Sequence, residues 1–151
     1  SPQVEFYVVG ADPAPEILLL NETQGIRVTG TVPDIRPYLS EASAFVCPMR
    51  SGAGIKNKIL AAMAMRLLVV ATALGIAGVA AEPERHCFIR ETPSEFAKLT
   101  AKLVSGEINT EAMTKEAKDF VELNYVWKSI AEEIARGFSD NPIIIPTNPQ
   151  V

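Results

Sequence analysis

Cysteine and histidine are scarce in this 151-residue sequence, which contains two cysteines and one histidine. Cys47 and Cys87 lie far apart in unrelated sequence contexts, so they predict neither a metal knuckle nor a disulfide framework. Cys47 belongs to the apolar run AFVCP, and we interpret it as a buried, reduced thiol. Because His86 is the only histidine, a multi-histidine metal site is excluded, and we expect no metal.

The sequence also has no excess of positive charge. It contains 14 lysines and arginines against 18 aspartates and glutamates, which gives a formal net charge of −4. The sequence pI of about 5.1 argues against a nucleic-acid partner bound through a basic surface. The sequence opens without the basic and apolar regions of a signal peptide. We therefore expect a cytoplasmic location, with peripheral attachment to a membrane as the alternative for a longer parent protein.

One hydrophobic run, residues 59–81, approaches the ~20 residues that a membrane-spanning helix needs. Arg66 divides this run, and a charge inside the bilayer costs at least about 2.5 kcal/mol. The second part begins with LLVV (residues 67–70), a pattern typical of a buried strand, and then reaches Gly75 and Gly78. The run therefore predicts a helix followed by a strand, and no transmembrane segment.

Short apolar strands alternate with helical patterns along the chain. The predicted strands are residues 4–9, 26–29, 44–47, 67–71 and 87–89. The predicted helices are residues 15–20, 34–39, 55–65, 93–106, 110–123 and 126–138. This alternation predicts an α/β fold, a Rossmann-like parallel sheet with helices on both faces. We expect residues 1–138 to form this domain and residues 139–151, with the run Ile143–Ile145, to form an extended tail.

A glycine-containing segment, Arg50 to Lys58, follows a predicted strand and opens a helix. In parallel sheets, ligands bind beyond the carboxyl ends of the strands, and helix N-termini attract anions. Gly52 and Gly54 let the backbone approach a ligand, and Arg50, Lys56 and Lys58 add positive charge. The segment predicts a phosphate or diphosphate site; the alternative is a tight turn with surface lysines. It matches neither a P-loop nor the full dinucleotide fingerprint.

At this segment the sequence resembles a known family. The runs GTVPDIRPYLSEASAFV, PMRSGAGIKNKILAAMAMRLLVVAT and LGIAGVAAEPERHCFI are similar, in order and spacing, to the C-terminal domain of retaining GT-B glycosyltransferases of the glycogen-synthase-like and sucrose-synthase-like group. The resemblance covers residues 4–138. It implies two Rossmann-like domains separated by a cleft, with the C-terminal domain binding the nucleotide-sugar donor.

The resemblance also implies which residues bind that donor. The backbone of Gly52 and Gly54 and the helix that opens at Ile55 would face the diphosphate, and Val32 and Pro33 would lie beside the nucleobase. Lys58 would lie near the phosphates or pack on the sheet. The complete predicted donor-binding set is Val32, Pro33, Arg50, Gly52, Gly54, Ile55, Lys56, Asn57 and Lys58.

Several positions depart from the family pattern. Ala61 replaces the glutamate that normally holds the donor ribose, and Ala53 replaces a second acid, so no catalytic residue is identified. Losing a charge-assisted hydrogen bond to the ribose forfeits about 1.5–3 kcal/mol. Arg66 and Leu68 replace the usual helix-ending glycine and the proline after it, and Gly75–Gly78 (GIAG) lacks the acid of the usual GIEG. A left-handed Arg66 would carry roughly 1 kcal/mol of strain.

The family further implies a strand–helix unit before the first strand seen here, and a separate N-terminal acceptor domain. We therefore expect a donor-binding fragment whose parent transfers a sugar from a nucleotide-diphosphate sugar to an acceptor hydroxyl, without a cofactor. The alternative is a non-catalytic module that binds a nucleotide or a protein partner; a sugar-nucleotide epimerase is a weaker third hypothesis. We also expect self-association, because an uncovered edge strand recruits other chains.

Overall fold

The computed structural model describes residues 4–126. The strands are β1 (Phe6–Val9), β2 (Ile26–Gly30), β3 (Ala44–Cys47), β4 (Leu68–Ala71) and β5 (Phe88–Ile89). The helices are α1 (Pro15–Leu18), α2 (Arg36–Glu41), α3 (Asn57–Ala64), α4 (Ala73–Ile76), α5 (Pro93–Val104) and α6 (Glu111–Asn124), and a 3₁₀ turn (Leu19–Glu22) follows α1. All five predicted strands are confirmed, within two residues at each end. Residues 127–138 of the predicted helix 126–138 and the whole tail 139–151 lie outside the described residues.

Every strand pairing in the described part of the chain is parallel. The strands form two sheets, one of β1 and β2 and the other of β3, β4 and β5 in that order. In the second sheet, β3 pairs with β4 from Ala44 opposite Leu68 to Cys47 opposite Ala71. The α/β, Rossmann-like class that the sequence predicts is therefore correct, although the strands of the described residues do not join into one sheet.

Helices cover both faces of the three-stranded sheet. Alternate residues of β4 point to opposite faces and therefore pack against different helices. Val69 and Ala71 pack on one face with Ile59 and Met63 of α3 and with α6. Leu68 and Val70 pack on the other face with Phe88 and with Leu99 of α5. All four residues of β4 are at most 3% exposed, as expected of a central parallel strand.

The start of α5 and the end of α3 follow from short sequence signals. Thr92 Oγ1 accepts a hydrogen bond from the Glu95 N–H, and the Glu95 carboxylate accepts one from the Thr92 N–H, so the predicted capping box is present. Arg66, just beyond α3, has a φ of 59°, which is the left-handed conformation that the sequence suggested. The N–H groups of Arg66 and Leu67 close the helix on the carbonyls of Met63 and Ala62, in the Schellman pattern.

The buried side chains include both cysteines. Cys47 and Cys87 are free thiols, so the prediction of a buried, reduced Cys47 is confirmed. Burial raises the pKa of Cys87 to about 11 and also raises the pKa of Cys47. Both thiols are therefore protonated and unreactive near neutral pH. Within residues 4–126, every helix is too short or too polar to cross a membrane.

Candidate functional site

The glycine loop, residues 48–56, connects the carboxyl end of β3 to the N-terminus of α3. Gly52 and Gly54 have φ angles of 119° and 77°, in a region that side-chain-bearing residues rarely adopt. At Gly52, an added Cβ would also lie 2.9 Å from Met49 Cε. The loop therefore needs both glycines for its shape. Helix α3 begins at Asn57 rather than at the predicted Ile55, because the loop continues through Lys56, whose backbone is extended.

Thr72, directly after β4, fixes the start of the glycine loop. Its Oγ1 donates a 2.6 Å hydrogen bond to the Met49 carbonyl and accepts one of 3.0 Å from the Gly75 N–H. The Thr72 N–H donates to the Cys47 carbonyl at 3.2 Å. At Gly75, an added Cβ would come within 2.7 Å of that carbonyl, so only glycine fits there. The sequence analysis missed Thr72, although threonine is among the residues preferred at a helix N-cap.

The far end of the glycine loop packs against Gly78. An added Cβ on Gly78 would lie 3.2 Å from Ile55 Cγ1 and 3.5 Å from the Ile55 backbone nitrogen. Because Gly78 also has a φ of 86°, the close approach and the backbone conformation both favour glycine. The segment that follows β4 therefore contacts the glycine loop at both ends. This contact gives the GIAG sequence at 75–78 a structural role that does not depend on the missing acid.

Lys56 turns back onto the glycine loop. Its Nζ donates hydrogen bonds to the carbonyls of Ala53, at 3.0 Å, and Gly54, at 2.7 Å. A single ammonium group thus satisfies two carbonyls that would otherwise depend on water. Lys56 therefore holds the loop together and also contributes a positive charge to it.

The N-terminus of α3 has no negative partner among the described residues. No side chain caps it and its first turn contains no acid, whereas Thr72 caps α4 and Thr92 caps α5. Lys58 lies in the first turn and is exposed, as is Arg50 in the loop, and neither forms an ion pair within residues 4–126. Cations at the positive end of a helix dipole repel it. An anion bound there would remove this repulsion and pair with the free N–H groups.

The N-terminus of α4, at the end of the neighbouring strand, is already occupied. The Glu91 carboxylate accepts a 2.7 Å hydrogen bond from the Ala73 N–H, and the Thr72 hydroxyl caps the same turn. An anion bound there would be repelled by the negative charge of the Glu91 carboxylate. Of these two helix ends at the carboxyl edge of the three-stranded sheet, only that of α3 suits a phosphate.

Ala53 and Ala61, which stand where the resemblance predicts carboxylates, differ in environment. Ala53 is exposed in the glycine loop, whereas Ala61 is half-buried on α3, one turn beyond Asn57. Ala61 also packs against the main hydrophobic core. Neither position therefore supplies an acid.

Residues 4–126 also contain no group of three or more histidine, cysteine, aspartate or glutamate side chains that could hold a metal ion.

The structure groups most, but not all, of the predicted donor-binding residues. The loop and the first turn of α3 contain Arg50, Gly52, Gly54, Ile55, Lys56, Asn57 and Lys58. Val32 and Pro33 lie in the loop after β2, which belongs to the two-stranded sheet. Val32 is half-buried and Pro33 is exposed. The placement of these two residues beside a nucleobase stays a prediction.

Solved structures share this fold. The Anabaena protein Alr3699/HepE, crystallised with UDP, is 19% identical over 93% of this chain, with a TM-score of 0.76. A glycosyltransferase from Rickettsia africae is 17% identical over 91% of the chain, with a TM-score of 0.74. Sucrose-phosphate synthase from Thermosynechococcus elongatus is 20% identical over 92% of the chain, with a TM-score of 0.72.

The matched region is only part of these proteins. The chain spans 42% of HepE, 40% of the Rickettsia enzyme and 39% of the sucrose-phosphate synthase. Comparison with curated protein sequences gives no match. The model of the family described as "Glycosyl transferases group 1" matches residues 1–106. This match extends over most of the chain, and the chain therefore belongs to the group 1 glycosyl transferases.

Proposed function

We propose that this chain is the donor-binding part of a glycosyltransferase, and that residues 50–58 bind the diphosphate of a nucleotide sugar. The observation that carries the proposal is the uncapped N-terminus of α3, which has Lys56 and Lys58 beside it and no acid in its first turn. HepE, which shares the fold, was crystallised with UDP and with UDP-glucose. A diphosphate suits the site because its negative charge complements both the helix dipole and the lysines.

In the whole protein, the reaction would move a sugar from the nucleoside diphosphate to an acceptor hydroxyl. As the bond to the sugar breaks, negative charge develops on the leaving diphosphate. The N–H groups at the start of α3 and the side chains of Arg50 and Lys58 would stabilise that charge. The acceptor would be held by another domain, in keeping with the share of HepE that the chain spans.

A second candidate function is a non-catalytic module that retains phosphate affinity. It is favoured by Ala53 and Ala61, which leave the site without the two carboxylates of the family pattern. Both functions predict that this chain alone transfers no sugar. Incubation of the chain with radiolabelled nucleotide sugars and simple acceptors should give no product above the blank, and measurable turnover would contradict both.

Calorimetric titration tests the proposed diphosphate site. We expect UDP to bind in the millimolar range, and Lys58→Ala to weaken binding about two- to fivefold, because one exposed cation at such a site contributes ~0.3–1 kcal/mol. The matched control is Lys98→Ala, since Lys98 is an exposed lysine on α5, which packs on the opposite face of the sheet. If both variants bind UDP as the unaltered chain does, the diphosphate site does not lie at residues 50–58.

A further inference from the structure

Tyr125, at the end of α6, forms a hydrogen bond that the candidate site described above does not include. Its hydroxyl accepts a 3.1 Å hydrogen bond from the N–H of Ala80, although the two residues are 45 positions apart in the sequence. Ala80 lies between α4 and β5, outside any helix or strand, so regular backbone pairing gives this N–H no partner. The bond therefore ties α6 to the segment that follows β4.

The ring of Tyr125 is held in place by its neighbours. The Phe120 ring packs edge-on against it, with the ring centres 5.7 Å apart, and Phe120 in turn stacks on the buried His86 at 4.7 Å. Tyr125 is half-buried against the main hydrophobic core, and its N–H closes the last turn of α6 on the Val121 carbonyl at 2.9 Å. The hydroxyl is therefore a fixed acceptor at the tip of an anchored ring.

Ala80 lies next to the residues that support the glycine loop. Val79 is buried, and its N–H closes a turn on the Ile76 carbonyl at 3.0 Å, so the segment from Gly78 to Ala80 has little freedom. Gly78 is in close contact with Ile55 of the loop. Because 51% of Ile55 is exposed to solvent, it has contacts on one side only, and Gly78 provides one of them. A shift of Ala80 would therefore reach the Ile55 end of the loop.

Helix α6 also supports α3 directly. Ile59 and Met63 of α3 share the main core cluster with Ala117 and Val121 of α6. Tyr125 lies one turn beyond Val121, on the same side of α6. The apolar face of α6 thus packs against the helix whose N-terminus forms the candidate site, and the hydroxyl at its end reaches the segment beside the glycine loop.

We propose that Tyr125 is a positioning residue for the candidate diphosphate site. Its hydroxyl holds Ala80, and through Gly78 this bond sets the position of the Ile55 end of the glycine loop. Tyr125 acts through these residues and not as a ligand of the phosphate. This role rests on the proposed function, since the position of the loop affects a phosphate only if the phosphate binds there.

The variant Tyr125→Phe tests the proposal, because it removes the hydroxyl and keeps the ring. The matched control is Tyr7→Phe, since the Tyr7 hydroxyl donates a 2.9 Å hydrogen bond to Glu5 and lies on β1, in the other sheet. Calorimetric titration of the full chain with UDP should show that affinity falls about two- to fivefold in Tyr125→Phe, the range expected for one lost hydrogen bond. Tyr7→Phe should bind UDP as the unaltered chain does.

Amide hydrogen exchange separates positioning from a general loss of stability. The Ile59 N–H closes the first turn of α3 on the Lys56 carbonyl at 2.8 Å and reports on the glycine loop. Leu99, buried in α5 on the opposite face of the sheet, reports on the whole fold. Positioning predicts that exchange at Ile59 in Tyr125→Phe speeds up about two- to tenfold relative to Leu99. A purely structural role predicts the same acceleration at both amides.

Unchanged UDP affinity in Tyr125→Phe, or an equal loss of affinity in Tyr7→Phe, would overturn the proposal. Equal acceleration of exchange at Ile59 and Leu99 would overturn it as well. If the unaltered chain binds no UDP, that result contradicts the proposed function. The ratio of the two exchange rates then decides by itself whether Tyr125 positions the glycine loop.

Discussion

The hydroxyl of Thr72 donates a 2.6 Å hydrogen bond to the carbonyl of Met49, and this bond joins the segments that leave two neighbouring strands. Thr72 is only 5% exposed, so the bond is shielded from water. The same hydroxyl caps α4 by accepting the Gly75 N–H. One side chain therefore fixes both the glycine loop and the turn beside it.

Replacement of Thr72 should lower the free energy of unfolding. Because Thr72 fixes the start of the glycine loop, the replacement should also weaken UDP binding. Thr72→Ala leaves the Met49 carbonyl without its donor and the Gly75 N–H without its acceptor, at a cost of about 1–3 kcal/mol. Thr72→Ser keeps the hydroxyl and should retain most of the stability. Urea unfolding of the two variants measures the difference. An equal loss of unfolding free energy in both variants would mean that the methyl group of Thr72, and not its hydroxyl, contributes the stability.

Restoring an acid on α3 should improve nucleotide binding selectively. Ala61→Glu supplies a carboxylate at the position where the resemblance predicts a contact with the donor ribose, and ~1.4 kcal/mol of added binding energy corresponds to a tenfold higher affinity for UDP or GDP. Inorganic pyrophosphate, which has no ribose, should bind as before. The matched control is Ala64→Glu, because Ala64 is exposed on the same helix. Calorimetric titration that shows no gain for UDP, or an equal gain for pyrophosphate, would contradict a ribose site at position 61.

The left-handed residue after α3 offers a stabilising substitution. Arg66 has a φ of 59°, and relief of its strain by Arg66→Gly should raise the free energy of unfolding by roughly 0.5–1 kcal/mol. Arg66→Ala removes the same charge but keeps a Cβ, so it should give no such gain. Thermal unfolding of the two variants separates the backbone effect from the charge effect, and equal melting temperatures would argue against strain at this position.

The capping box of α5 predicts a stability that depends on pH. Hydrogen bonds from the Thr92 side chain and from the backbone of Thr92 and Glu91 lower the pKa of Glu95 below its ordinary value of 4.5. The ionised carboxylate is therefore favoured in the folded state, and its contribution is complete above pH ~5 and lost as the pH falls through the lowered pKa.

Urea unfolding between pH 3 and pH 7 checks this pH dependence. Glu95→Gln should reduce stability at pH 7 and bring the variant closer to the unaltered chain at pH 3. Glu16→Gln is the control, because Glu16 is exposed and has no side-chain hydrogen bond or ion pair within residues 4–126. A constant difference between Glu95→Gln and the unaltered chain across the pH range would exclude a role for the Glu95 charge.

The exposed β1 strand also predicts self-association. Phe6 and Tyr7 expose apolar surface beside a strand edge that has no partner within residues 4–126, and such edges recruit other chains. Light scattering at rising concentration should report masses above the 16.3 kDa of one chain. A constant mass of one chain at every concentration would contradict the prediction.

The sequence predicted the features that depend on local pattern. Apolar runs located the strands, the TPSE sequence located the start of α5, and Arg66 marked the end of α3. The contacts of Thr72 with Met49 and of Gly78 with Ile55 join residues about 23 positions apart, so no local pattern could reveal them.

Two features of the site depended on geometry that only the structure supplies. The sequence predicted that Lys56 adds positive charge to the site, and the structure adds two hydrogen bonds from its ammonium group to the carbonyls of Ala53 and Gly54. The four-residue helix α4 was absent from the predicted elements, because it forms where Gly75 packs against the Cys47 carbonyl. Packing between segments explains α4, whereas the bonds of Lys56 depend on the shape of the glycine loop itself.

The internal bonds of Lys56 have a consequence for the thermodynamics of binding. A glycine loop without internal bonds samples many backbone conformations, and a ligand that selects one of them must offset the lost entropy. Here the ammonium group holds the carbonyls of Ala53 and Gly54, while Thr72 and Gly78 restrain the two ends. Most of that ordering is complete when the chain folds. A phosphate arriving at α3 therefore meets a preorganised loop, and its binding should show only a small conformational entropy loss.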